Sequence, residues 1–130
     1  MLLKIWEEVQ SRMKIVFISN NNNKYSDLQG RLRNETGLDV EFEYAARDKV
    51  KFEKDDLYVL EASHIQDMTL INKDFNFIVL LQQRNIKLAY RAYKCGALDL
   101  LMAPYTEDNM YVKIKRYVTW KNRQNNKEAC

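Results

Sequence analysis

Apolar residues in this chain gather in short continuous runs. Ile15-Val16-Phe17-Ile18, Leu57-Tyr58-Val59-Leu60, Phe77-Ile78-Val79-Leu80-Leu81 and the stretch from Leu98 to Met102 each have the length of a strand. A strand that is apolar at consecutive positions must be covered on both faces, which is the demand of a parallel sheet held between helices. Val40-Glu41-Phe42-Glu43-Tyr44 alternates instead, and predicts an edge strand with Val40, Phe42 and Tyr44 on one face.

Between the strands the periodicity turns helical. It predicts helices over Ser26–Glu35, Ile86–Cys95 and Asp108–Arg123, and a short one over Ile65–Ile71. Thr106, with Glu107 and Asp108 behind it, supplies an N-cap and an acidic first turn; Pro104 stops the strand before it, and Gly96 closes the preceding helix. The link from Ala45 to Asp56 is too short and too charged for a full helix, so the second helix is expected to be short or missing. The alternation predicts an α/β fold, a doubly wound five-stranded parallel sheet with right-handed crossovers.

Residues 13–123 form one expected domain. Ahead of it, Leu2, Ile5, Trp6 and Val9 fall on one helical stripe, so residues 1–12 read as a helical extension that packs on its own domain or self-associates. Residues 124–130 read as a polar tail or linker. A chain of 130 residues buries roughly 68% of its unfolded surface without metal or disulfide help. The net charge of +3 concentrates only at Lys113, Lys115, Arg116, Lys121 and Arg123, a solvated basic face from which no nucleic-acid contact is expected. Cys95 and Cys130 lack metal-ligand spacing, no run approaches the ~20 apolar residues of a membrane span, and no signal peptide is present, so a reducing cytoplasm is the expected location.

The stretch Gly96-Ala97-Leu98-Asp99-Leu100-Leu101-Met102-Ala103-Pro104 resembles the fifth strand of the receiver domains of two-component response regulators, whose usual form is Gly-Ala-Asp-Asp-Tyr-Leu-X-Lys-Pro. MKIVFIS, DDLYVLEA and FNFIVLL match the first, third and fourth strands. The resemblance spans residues 13 to about 123 and implies a CheY-like, flavodoxin-like sheet of order 2-1-3-4-5. It also implies a phosphoryl-transfer crevice at the carboxyl ends of the strands: an acidic pair for Mg²⁺, a nucleophilic Asp, a hydroxyl and a lysine.

Position by position, the resemblance puts Ser19 and Asn20 where the acidic pair stands, Glu61 at the phosphoacceptor, Leu81 at the hydroxyl, Ala103 at the lysine and Leu100 at the switch aromatic. Every element of the switch is altered. Glu61 is either a permanent imitation of a phosphorylated Asp or a crevice carboxylate of no special role. The run Asn20-Asn21-Asn22-Asn23 turns the chain into a helix or lines a ligand loop, and His64 is a lone histidine near the crevice. No metal and no cofactor is expected, nor catalysis.

What remains is surface. In the family the fourth helix, fifth strand and fifth helix form the dimerisation face, and here they carry Tyr90, Tyr93, Leu100 and Tyr111, tyrosine being favoured where a surface is both apolar and hydrogen-bonding. The expectation is a phosphorylation-independent pseudo-receiver acting as a homodimer or docking module, the regulatory domain of a transcription regulator with an effector domain or another signalling protein as partner. The alternative is a phosphoryl-accepting or small-ligand-sensing receiver that uses the Glu61 crevice.

Overall fold

The computed structural model describes residues 12–19 and 25–129, with side chains over 13–19 and 25–125. The predicted extension over residues 1–12 lies outside these, except for Arg12, which begins the first strand. The Asn20–Asn23 run lies outside them as well.

In chain order the elements are β1 (Arg12–Ile18), α1 (Ser26–Thr36), β2 (Asp39–Ala45), a 3-10 turn (Arg47–Lys49), β3 (Leu57–Ala62), a second 3-10 segment (Ile65–Leu70), β4 (Asn76–Leu81), α2 (Ile86–Lys94), β5 (Asp99–Met102) and α3 (Glu107–Ala129). The strands form one sheet in the order β2-β1-β3-β4-β5, parallel throughout. Ile18 stands beside Leu60, Leu60 beside Val79 and Val79 beside Leu100, so the strands end close to one level and present a common rim.

Alternation of side chains along each strand divides the core in two. Ile15, Phe17, Leu57, Val59, Ile78 and Leu80 face α1 and α3, where Leu28, Leu32, Met110, Tyr111, Ile114 and Val118 cover them. Val16, Ile18, Tyr58, Leu60, Val79 and Leu81 face the other way, against Met68, Ile71, Leu88, Ala89 and Ala92. The missing second helix belongs to this layer. Its link supplies one 3-10 turn and then Phe52, whose ring packs 4.9 Å from Tyr58 and 5.7 Å from Phe77 and seals the sheet where a helix would otherwise lie.

Two expectations change. Residues 124–129 continue α3 instead of forming a separate tail, because Gln124, Lys127, Glu128 and Ala129 favour helix and neither Gly nor Pro stops the chain there. Tyr111 is no surface residue: it is 2% exposed within the core between α1 and α3, with the Arg31 guanidinium 3.9 Å above its ring. Met110, Tyr111, Ile114 and Val118 form the stripe of α3 that meets the sheet, and Tyr111 falls on that stripe.

Candidate functional site

The rim at the carboxyl ends of β1, β3 and β4 holds the candidate site. Glu61 comes two positions after Val59, so its side chain leaves the sheet on the α1–α3 face; Ser19 follows Phe17 in the same phase. There the two meet, with Ser19 Oγ donating to Glu61 Oε2 at 3.0 Å. The hydroxyl of Tyr25 donates to the other oxygen, Oε1, at 2.9 Å. Tyr25 precedes α1 and is held from several sides: its backbone N–H donates to the Tyr44 hydroxyl at 3.1 Å, and its ring lies 4.9 Å from that of Phe17. Burial first, then the hydrogen bond and charge of Glu61, push the proton affinity of Tyr25 far above that of an ordinary phenol.

The other three positions are arranged differently. Leu81 is fully buried on the opposite face of the sheet and does not line the crevice. The residue that does is Gln82, one position on and therefore turned the other way, whose Nε2 donates to the carbonyl of Leu80 at 3.0 Å and to the Tyr105 hydroxyl at 2.9 Å. Ala103 stands on the crevice side, its N–H bonded to the Leu81 carbonyl at 2.9 Å and its peptide bond to Pro104 cis. An open cleft of about 310 Å³ lies beside Ala103, lined also by Tyr25, Gln82, Tyr105 and Glu107. Leu100 is half-buried and packs with the α2 layer.

Sequence reasoning missed the pair that fixes the loop after Glu61. Asp67 is buried, accepts the backbone N–H groups of Ser63 at 2.7 Å and His64 at 2.9 Å, and pairs with Arg47 from the 3-10 turn after β2. A second guanidinium nitrogen of Arg47 donates to the Glu61 carbonyl at 3.4 Å. The available signal is the position of Asp67, third after His64, from which a carboxylate reaches back to the N–H at the start of a helical turn. His64 itself is exposed and contributes its backbone.

Magnesium prefers several anionic oxygens in octahedral array. Ser19 offers a neutral hydroxyl already donated to Glu61, and among the described residues no three His, Cys, Asp or Glu side chains converge on a metal position. Among the described residues the donor set does not supply the anionic oxygens that the ion prefers. Away from the crevice, α2, the link into β5 and α3 expose Tyr90, Tyr93, Leu98, Val112 and Trp120, each more than half accessible. Leu98, Tyr117 and Trp120 border a shallow apolar depression of about 290 Å³ beside the Asp99–Lys113 ion pair.

Solved structures share this arrangement of strands and helices. A response regulator from Thermotoga maritima superposes with a TM-score of 0.62 at 16% identity, over 83% of this chain and 98% of its own. The fold is the receiver fold. A receiver domain of a response regulator from Rhodospirillum rubrum superposes with a TM-score of 0.54 at 16% identity, over 83% of this chain and 92% of its own. A protein from Burkholderia pseudomallei described as related to pilus assembly gives 0.56 at 12% identity, over 85% of this chain and 92% of its own. No protein-family model and no curated protein matches the sequence. In receiver terms, the Ser19–Glu61–Tyr25 cluster occupies the crevice at the topological switch between β1 and β3, where doubly wound sheets place their chemistry. Among the described residues, no helix is long and apolar enough to cross a membrane.

Proposed function

We propose that this chain is a receiver-type signalling domain that works without phosphorylation, as a self-associating and partner-docking module in the regulatory part of a transcription regulator. The observation that carries the reading is the state of Glu61. Both of its carboxylate oxygens accept hydrogen bonds from hydroxyls, those of Ser19 and Tyr25, so each is already engaged and neither is a nucleophile aimed into the crevice. At two family positions the countercharge that phosphoryl transfer uses is missing: the lysine position is Ala103, and the side chain over the β4 end is the neutral amide of Gln82. Self-association draws on the exposed Tyr93 and Leu98 beside the short edge strand β5.

The test is sedimentation velocity across a concentration series, with and without Mg²⁺ and a small phosphodonor, together with intact mass. The expected result is a dimer that ignores the phosphodonor, an unchanged mass, and dissociation by Tyr93→Ala combined with Leu98→Asp. A mass gain of one phosphoryl group overturns phosphorylation independence, and a monomer under every condition overturns self-association. The cleft beside Ala103 favours one second reading, a small-ligand sensor, for which a saturable thermal shift with a metabolite is the signature.

A further inference from the structure

The outer surface of α2 has two flanks with Tyr90 on the crest between them. Leu88, Ala89 and Ala92 turn inward. At 100° per residue, Ile86 and Tyr93 fall on one side of the crest and Lys87, Arg91 and Lys94 on the other. The cationic flank faces the 3-10 segment Ile65–Leu70 and encloses with it a groove of about 430 Å³, lined by Ile65, Lys87, Leu88, Tyr90, Arg91 and Lys94. Ile65 is 51% exposed and Tyr90 64% exposed, so two large apolar surfaces stand open to water across one channel whose floor is Leu88.

The charge around this channel is one-sided. Residues 82–98 contain Arg84, Lys87, Arg91 and Lys94 and no Asp or Glu. On the opposite layer Arg31, Arg33, Lys113 and Lys115 each meet a carboxylate; Lys87, Arg91 and Lys94 form no ion pair among the described residues. Arg91 and Lys94 lie in the last turn of α2, where a cation offsets the helix dipole. That account fails for Lys87, which sits in the first turn, the end where a positive charge is unfavourable. The fold carries a cation there at a cost, beside an apolar side chain left open across the groove.

We infer that the groove between α2 and the Ile65–Leu70 segment docks an acidic, amphipathic helical segment of a partner protein. Apolar side chains at helical spacing enter between Ile65 and Tyr90, and flanking carboxylates meet Lys87, Arg91 and Lys94. Nucleic acid fits less well, because phosphates gain nothing from an aliphatic floor. A second copy paired about this groove by a two-fold axis would set Lys87 and Arg91 against their own images. The inference deepens the docking half of the proposed function and stands without self-association, since Tyr93 does not line the groove.

The experiment uses the full chain and a synthetic helical peptide with Leu at i, i+3, i+4 and i+7 and Glu at most other positions. Controls are the same composition shuffled, a Lys-for-Glu counterpart and a single-stranded DNA of equal charge. Fluorescence anisotropy and amide chemical-shift mapping are read together. The expected result is saturable binding of the patterned acidic peptide alone, with shifts centred on Ile65, Leu88, Tyr90 and Arg91. Lys87→Glu with Arg91→Glu should weaken it about tenfold, and Tyr93→Ala should leave it unchanged. Because all three side chains are on the surface, circular dichroism should show an unchanged fold. Equal binding of the shuffled peptide, binding of DNA in the peptide's place, shifts centred elsewhere, or no binding overturns the inference. A self-association test that fails while this one succeeds removes the dimer and leaves the groove.

Discussion

The hydroxyl of Tyr25 and Oε1 of Glu61 lie 2.9 Å apart across 36 positions of chain, and that bond joins the start of α1 to the end of β3. Tyr25→Phe keeps the ring against Phe17 and deletes only the bond. Loss of a hydrogen bond to a carboxylate should cost about 1–2 kcal/mol, read as a lower urea midpoint at neutral pH with an unchanged slope.

The same residue leaves a mark at alkaline pH. Burial raises the proton affinity of Tyr25, Tyr58, Tyr111 and Tyr117 in the folded chain, whereas the unfolded phenols titrate near pH 10, about their ordinary value. A raised folded pKa contributes stability that is complete below the unfolded pKa and is lost as pH rises toward the folded one. Denaturant midpoints should therefore fall from about pH 10 upward, and fall less steeply in Tyr25→Phe.

Glu35 sets the acid limb. Hydrogen bonds from Lys115 and then Arg31 hold its carboxyl down at about 2, tying α1 to α3. With the folded pKa depressed, the contribution is present above the unfolded value of about 4.3 and fades as pH falls toward the folded one. Stability of the wild type should decline through that window, and Glu35→Gln should flatten the decline. Because the cluster is exposed, added salt should move the Glu35 titration, followed by side-chain carboxyl NMR, back toward the ordinary value.

Asp67 should rank among the costliest side chains to remove. Asp67→Ala strands two backbone N–H groups and the half-exposed guanidinium of Arg47, for a loss of about 3 kcal/mol; Asp67→Asn keeps an acceptor and should lose about 1–2 kcal/mol. Chemical denaturation of the two variants gives the order. If Asn and Ala cost the same, the carboxylate charge is what the loop uses.

Gly96 and Gly37 both have positive φ, but for different reasons. A Cβ on Gly37 (φ 70°) would meet open space, so Gly37→Ala should cost about 1 kcal/mol for the backbone conformation alone. A Cβ on Gly96 (φ 107°) would lie 2.8 Å from Cα of Lys73, a backbone atom that cannot swing aside. Gly96→Ala should therefore lower the melting temperature more than Gly37→Ala, by a stability difference above about 1 kcal/mol.

The order and type of the elements are legible in the sequence because β1, β3 and β4 are continuous apolar runs, β2 alternates as an edge strand does, and the charged link before β3 carries no helical stripe. The site is only half legible. Glu61 and Ser19 are found by their position at strand ends. Leu81 against Gln82 is not, because the side chain that turns into the crevice depends on a one-residue phase that an unbroken apolar run cannot fix. Tyr111 fails for a related reason: α3 carries two tyrosines on different sides, at 111 and 117, and residue type alone does not reveal how deeply each meets the sheet. Asp67 and Arg47 find each other across 20 positions, a tertiary choice with no local pattern beyond the spacing to His64.

The last buried side chain of α3 described here is Val118, yet the helix runs on to Ala129. From Thr119 onward it extends about 16 Å at 1.5 Å per residue, with Trp120 beside Leu98 at its root. Val118 is in effect the fulcrum of an arm braced near its root by the Lys121–Asp55 ion pair at 3.7 Å. A small rotation of α3 against the sheet is magnified along that arm, and warming should soften the arm well before the domain melts.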